Sequence, residues 1–215
     1  MGKFIAYKKF QYTEQLKEVV DVLKANDINY IVEDNTLDAA AIFIGQDTGP
    51  KILLKISNED FTKANELLNI KAKKDIDKVN PDHYLFSFED DELLEIVEEP
   101  DTWNEFDVQL AKKILTERGI EISEKLENAF IEKRIKNLSK TEKGSKLWTT
   151  VGYISAFVGG LLGIAIGLAL WKSKRTLPNG DRVYMYSDND RIHGMYITVI
   201  GIAMFLMIII VRMTI

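Results

Sequence analysis

The stretch GGLLGIAIG, residues 159–167, lies inside a run with no charged residue between Trp148 and Trp171. The 22 intervening residues would reach roughly 33 Å as one helix at about 1.5 Å per residue, which matches a hydrocarbon core of about 30 Å. Tryptophan at each end suits the two membrane interfaces. A second apolar run covers Met195–Val211 and is followed by Arg212, whose long side chain can reach back to the interface. Backbone polar groups in lipid must be satisfied within the segment. The expectation is therefore a transmembrane helical hairpin in residues 147–215, with spans at about 148–170 and 193–212.

The connection, residues 172–192, has its own pattern. Pro178-Asn179-Gly180 is a turn signal, and the alternation Val183, Tyr184, Met185, Tyr186 after it predicts a small β-hairpin. Asp188-Asn189-Asp190 is read as a helix cap rather than a divalent-cation site. Ser155, Gly159, Gly163 and Gly167 recur every fourth residue, and such small residues let another helix approach closely. Gly194, Thr198 and Gly201 offer a matching stripe on the second span. Packing within the chain is the first reading, and packing between copies is the second.

The rest of the chain is unlike this tail. After Trp148 there are six cations and three carboxylates, so of the net −5 the first 147 residues carry −8. An acidic body argues against nucleic acid, whose phosphates need a basic face. Cysteine is absent, which excludes disulfides, thiolate zinc sites and cysteine nucleophiles. The start, MGKFIAYKKF, has no long apolar stretch, and no cleavable signal peptide is expected.

Residues 3–8 alternate as a strand. Thr13 is placed to cap a helix burying Leu16, Val19, Val20 and Leu23 and ended by Asn26. INYIVED, AAAIFIG and KILLKIS read as strands, and Ser57 with Asp60 opens a helix burying Phe61, Ala64, Leu67 and Leu68. The order is β-α-β-β-β-α or, with one strand lost, β-α-β-β-α. An α+β, ferredoxin-like small domain over residues 1–70 is the natural packing solution. Residues 71–82, KAKKDIDKVNPD, have the composition of a linker.

Residues 83–146 read as an acidic-then-basic helical segment. Ser87 and Asp90 open a helix with Leu93, Leu94 and Val97 on one side, and Pro100 stops it. Asp101 or Thr102 caps the next, which buries Phe106, Leu110, Ala111, Ile114 and Leu115 and ends at Gly119. A third helix over about 121–140 places Leu126, Phe130 and Ile135 on one face.

Two resemblances bear on these segments. The pieces FIAYKKF, Glu33-Asp34 after the second strand, and EDFTKANELL make residues 1–70 similar to the prokaryotic signal-transducing protein family. That resemblance implies a compact ferredoxin-like module that senses or relays, with no catalytic residue to carry over. The helix–Pro-Asp–aromatic–helix unit resembles one found ahead of membrane spans in bacterial proteins, and the whole chain resembles two-span membrane proteins of the Bacteroidetes.

Chemistry-bearing motifs are sparse. His83 and His193 are the only histidines, and no HExxH, Walker A, GxSxG or dinucleotide fingerprint occurs. Glu33 and Asp34 are adjacent on a strand and point to opposite faces. No catalytic residue, metal site or cofactor is expected, and the chain is read as a non-enzyme. Asp90, Asp91 and Glu95 belong to an acidic run from Asp82 to Asp107 that contains no lysine or arginine, and bases dominate from Lys112 onward. With Glu33 and Asp34 they form the candidate ligand or partner surface.

The expectation is a membrane-anchored regulatory or adaptor protein whose module binds a protein partner or a small ligand. The alternative is a structural homo-oligomer assembled through Ser155, Gly159, Gly163, Gly167 and Gly201. The lipid bilayer is the common partner, with Trp148, Trp171 and Arg212 at its interfaces. Two spans would put both termini on the cytoplasmic side of a bacterial inner membrane.

Overall fold

The computed structural model describes residues 2–34, 52–142, 144, 146–158 and 160–214. The chain is mixed α+β and divides into two compact units: residues up to Leu138 together with Thr176–Asp181, and Ser139–Arg175 together with Arg182–Ile215.

The first unit begins with β1 (Phe4–Phe10), α1 (Thr13–Ala25), β2 (Tyr30–Asp34), β3 (Ile52–Ser57) and α2 (Phe61–Asp75). β3 lies between β1 and β2 and is antiparallel to both, so the sheet order is β1-β3-β2. The expected strand AAAIFIG, residues 39–45, falls outside the described residues. Leu54 and Ile56 of β3 project into a core with Ile5, Leu23, Phe61 and Leu68. The β1–β3 register slips between Ala6 and Lys8, leaving Tyr7 as a bulge residue. The Tyr7 ring meets Phe61 edge-on at 5.0 Å, and its hydroxyl donates to Asn65 at 2.7 Å.

Local start signals work one or two residues away from where they were expected. Tyr12, not Thr13, occupies the cap position of α1. Ser57 accepts from the Glu59 amide and opens a single 3₁₀ turn ahead of α2. The segment expected as a linker is structured: α2 runs to Asp75, a 3₁₀ turn follows over Ile76–Lys78, and Ile76 and Val79 pack on the next core cluster.

That cluster joins α3 (Asp90–Glu98), α4 (Glu105–Glu117) and α5 (Glu124–Leu138). Leu85, Leu93, Ile96, Leu110 and Leu115 are fully buried there. Glu89, not Ser87, caps α3 through a reciprocal capping box with Glu92. Asn104, rather than Asp101 or Thr102, caps α4 by accepting from the Asp107 amide at 2.8 Å. Phe106 is only partly buried, and α5 buries no residue fully; Phe130 is its partial contact with the cluster. α2 and α4 are joined by Gln109 donating to Asn69 at 3.0 Å, and β1 meets α4 through the Lys8–Glu105 ion pair.

The second unit holds α6 (Lys146–Val158), α7 (Leu161–Lys172), the short pair β4 (Lys174–Thr176) and β5 (Arg182–Tyr184), and α8 (Asp188–Thr214). The β4–β5 pair matches the expected hairpin in the connection, although its turn, Thr176–Asp181, is counted with the first unit. Within that first unit Asn65 donates to the Pro178 carbonyl at 3.2 Å.

Phe61 is 2% exposed at the centre of the first core. Phe61→Ala is expected to cost roughly 3–5 kcal/mol, seen as a lower urea midpoint for the first unit. Tyr7 and Tyr84 give a second outcome. Burial and then the Glu105 charge push the Tyr7 phenol well above its ordinary value. Burial and then the bond to Asp107 do the same at Tyr84. In the unfolded chain both ionise near pH 10, so stability held below that pH falls as pH rises above it. Phenolate absorbance should show Tyr7, the more deeply buried of the two, ionising only together with the loss of circular dichroism.

Candidate membrane unit and its polar end

The uncharged run expected as one span is two helices. α6 stops at Val158, α7 starts at Leu161, and Gly160 between them has φ +72°, the left-handed region that glycine enters at little cost. The chain folds back there. A Cβ on Gly163 would overlap the backbone of Ala156, and one on Gly152 would lie 3.0 Å from Ile166. These pairings fix an antiparallel register. Eight residues further out on each helix stand Trp148 and Trp171. The two tryptophans therefore mark one end of the unit, not opposite interfaces.

At about 1.5 Å per residue, α6 and α7 are each roughly 20 Å long, short of a hydrocarbon core of about 30 Å. Among the described residues one helix is long and apolar enough to cross a membrane, covering Asp188–Met213. The second expected span, 193–212, lies inside it.

The small residues hold this arrangement. Gly152, Gly163 and Gly167 are buried, as are Gly194, Thr198 and Gly201 on α8. A Cβ on Gly167 would come within 2.7 Å of the Gly194 carbonyl, and one on Gly201 within 2.9 Å of the Gly160 carbonyl. α7 thus runs along α8 from Gly194 at its base to Gly201 at its tip. The stripe is not a single-helix face: Ser155 sits on α6, half-buried, while Gly163 and Gly167 sit on α7. Gly159 lies outside the described residues. Within one chain, α6 covers Gly163, α8 covers Gly167, and Gly160 with Ile164 of α7 covers Gly201.

The outer surfaces of these helices are apolar and open. Ile154, Phe157, Leu161 and Leu162 are exposed around the fold-back. Beyond Gly201, α8 continues for about 20 Å with Leu206, Met207, Ile210 and Met213 exposed, and Arg212 in its last turn.

The open end of the α6–α7 pair is polar. Glu142 donates its amide to the Met185 carbonyl, and the Met185 amide donates to the Ser173 carbonyl. Arg175 pairs with Glu142 at 2.9 Å, and Arg191 pairs with Asp188 at 2.8 Å while lying over the Tyr184 ring. Asp190 accepts from the Gly144 amide and from Ser187. Tyr153 and His193 share a hydrogen bond of 3.0 Å. Their link joins α6 to α8 and was not anticipated; His193 and Tyr153 are 40 positions apart, and only the fold-back brings them together.

The acids expected to form a partner surface fall on two separate elements. Glu33 and Asp34 end β2, and Glu33 is paired with Lys55 at 2.5 Å. Asp90, Asp91 and Glu95 lie on α3. Asp90 is held by Arg118 at 2.8 Å, whereas Asp91 and Glu95 are exposed. Part of the acidic run is matched by later bases: Lys133 meets Glu98, and Arg134 meets Glu99 and Asp101. The most enclosed acid, Asp107, is one the sequence reading passed over. Its carboxylate accepts from Tyr84 at 2.7 Å and from Asn104 at 2.5 Å, with His83 3.7 Å away. Its signal was the Asn-x-x-Asp spacing at a helix start.

No family model, no curated protein and no solved structure matches this chain.

A chain carrying Trp148→Cys and Trp171→Cys, with no native thiol, should form an intramolecular bridge with a short bis-maleimide. On a straight helix the two positions would be about 35 Å apart, so absence of the bridge in membranes would overturn the fold-back.

Proposed function

We propose that this is a membrane-anchored regulatory or adaptor protein. α8 crosses the bilayer once, and the α6–α7 pair enters and leaves on one side as a re-entrant hairpin. The observation that carries the reading is the fold-back at Gly160, which leaves α6 and α7 each too short to span while their outer faces stay apolar. Such half-depth elements are tolerated where protein covers their backbone, and α8 provides that cover along Gly194–Gly201.

Sidedness follows from charge. With two full spans, the basic residues before α6 and those after α7 would lie on opposite faces and nearly cancel. With a re-entrant hairpin, Lys146, Lys172, Lys174, Arg175, Arg182 and Arg191 share one face, and Arg212 alone marks the other. The positive-inside rule then favours an open end on the cytoplasmic side of a bacterial inner membrane. Residues 1–138 join α6 through only seven residues, so chain connectivity puts them on that side too. The C-terminus is assigned to the opposite side.

The first unit supplies the regulatory part of the proposal. Its β1-β3-β2 order, with α1 connecting β1 to β2 and α2 following β3, supports a ferredoxin-like module. The exposed Asp91 and Glu95 of α3, outside the ion pairs that bind α3 to α4 and α5, are the acids best placed to meet a basic protein partner.

Single cysteines at Asp21, Asn179 and Met213 test the topology with a membrane-impermeant maleimide. Asp21→Cys and Asn179→Cys should react together from one side, and Met213→Cys only from the other. Asn179→Cys reacting alone, opposite Asp21→Cys and Met213→Cys, would restore two full spans and overturn the proposal.

A further inference from the structure

We propose that the open end of the α6–α7 hairpin is a docking surface for anionic phospholipid headgroups, built from Lys146, Lys172, Lys174 and Arg182 around Trp171 and Tyr184. This rests on the topology above. Lys146 opens α6 and Lys172 closes α7, so the fold-back sets them at the same end. Lys174 and Arg182 lie on the two paired strands that follow. All four are exposed. The carboxylates of this end are committed elsewhere: Glu142 to Arg175, Asp188 to Arg191, and Asp190 to Ser187 and the Gly144 amide. The four cations have no carboxylate partner among the described residues.

Aromatic rings hold two of the four at a fixed level. The Lys172 ammonium lies 3.9 Å from the Trp171 ring centre, and that of Lys174 lies 4.3 Å from Tyr184. Tryptophan and tyrosine settle at the headgroup depth of a bilayer, so these ammonium groups are carried to where lipid phosphates stand. The apolar faces of α6 and α7 continue from this ring of charge toward the fold-back, through exposed Leu147, Leu168 and Ile154. A soluble anion would use the charge and leave that apolar continuation in water. A phospholipid satisfies both, with its phosphate on the cations and its acyl chains along the helices. That is the argument for lipid over free phosphate.

The test uses the full chain reconstituted in phosphatidylcholine vesicles, with spin-labelled phosphatidylglycerol or phosphatidylcholine as the probe. A cation near the surface contributes about 1 kcal/mol, a factor of about five for one headgroup on one lysine. The motionally restricted fraction should therefore favour phosphatidylglycerol about fivefold, and the preference should weaken with salt. Changing the four cations to glutamine should abolish it, while Lys146→Arg, Lys172→Arg and Lys174→Arg together should retain it. Millimolar inorganic phosphate should not compete. Equal restriction of the two lipids, a preference that survives the glutamine changes, or displacement by phosphate each overturns the headgroup site. No restricted component for either lipid would instead overturn the membrane reading on which the site rests.

Discussion

Two helix backbones touching without side chains between them is the constraint on which the second unit depends. Gly163 against Ala156, Gly167 against Gly194 and Gly201 against Gly160 leave no space for a Cβ. In a lipid surrounding, apolar side chains gain little by leaving the acyl chains for each other, so association falls to close packing and to polar contacts. Here the small residues supply the close packing. The Tyr153–His193 bond supplies a polar contact near the open end. Gly160 then turns the chain through a conformation that most residues avoid. Every consequence for charge placement follows: once the chain reverses, residues flanking the uncharged run on both sides come to one end.

The first unit is organised differently. Its stability comes from two clusters of fully buried side chains, centred on Leu54, Ile56 and Phe61 and on Leu93, Ile96 and Leu110. The ion pairs between α3 and the helices after it lie on the surface, where each contributes at most about 1 kcal/mol. Their effect is orientation. They set α3 against α4 and α5 and leave Asp91 and Glu95 facing outward. The charge segregation along the sequence is thus in part an internal match between successive helices.

Much of the first unit was legible in advance. Apolar residues at spacings of two and of three to four gave β1, β2, β3, α1, α2 and α4 within a few positions. Caps were less legible, because Ser57, Ser87 and Glu89 all lie near helix starts and the final choice depends on which turn the core allows. The segment 71–82 looked like a linker from composition, yet Ile76 and Val79 found an apolar surface on α4 that no local pattern announces. Asp107 was hidden in the same way. It reads as one more acid in an acidic run until Tyr84, 23 positions earlier, is folded over it.

The sequence by itself determined that the tail is apolar and close-packed, since a 22-residue run without charge and a four-residue glycine spacing depend on nothing beyond the chain. It also determined that the body is acidic, cysteine-free and built from a small sheet with helices. Only the tertiary structure decided where the glycine-rich run reverses. Glycine at 159, 160, 163 and 167 permits both a straight helix with a smooth face and a tight hairpin, the hairpin giving up some i→i−4 hydrogen bonds at the turn. The choice lies in whether Ala156, Gly194 and Gly201 are present at the right depth to meet those glycines, a matter of contacts across the fold and not of spacing along the chain.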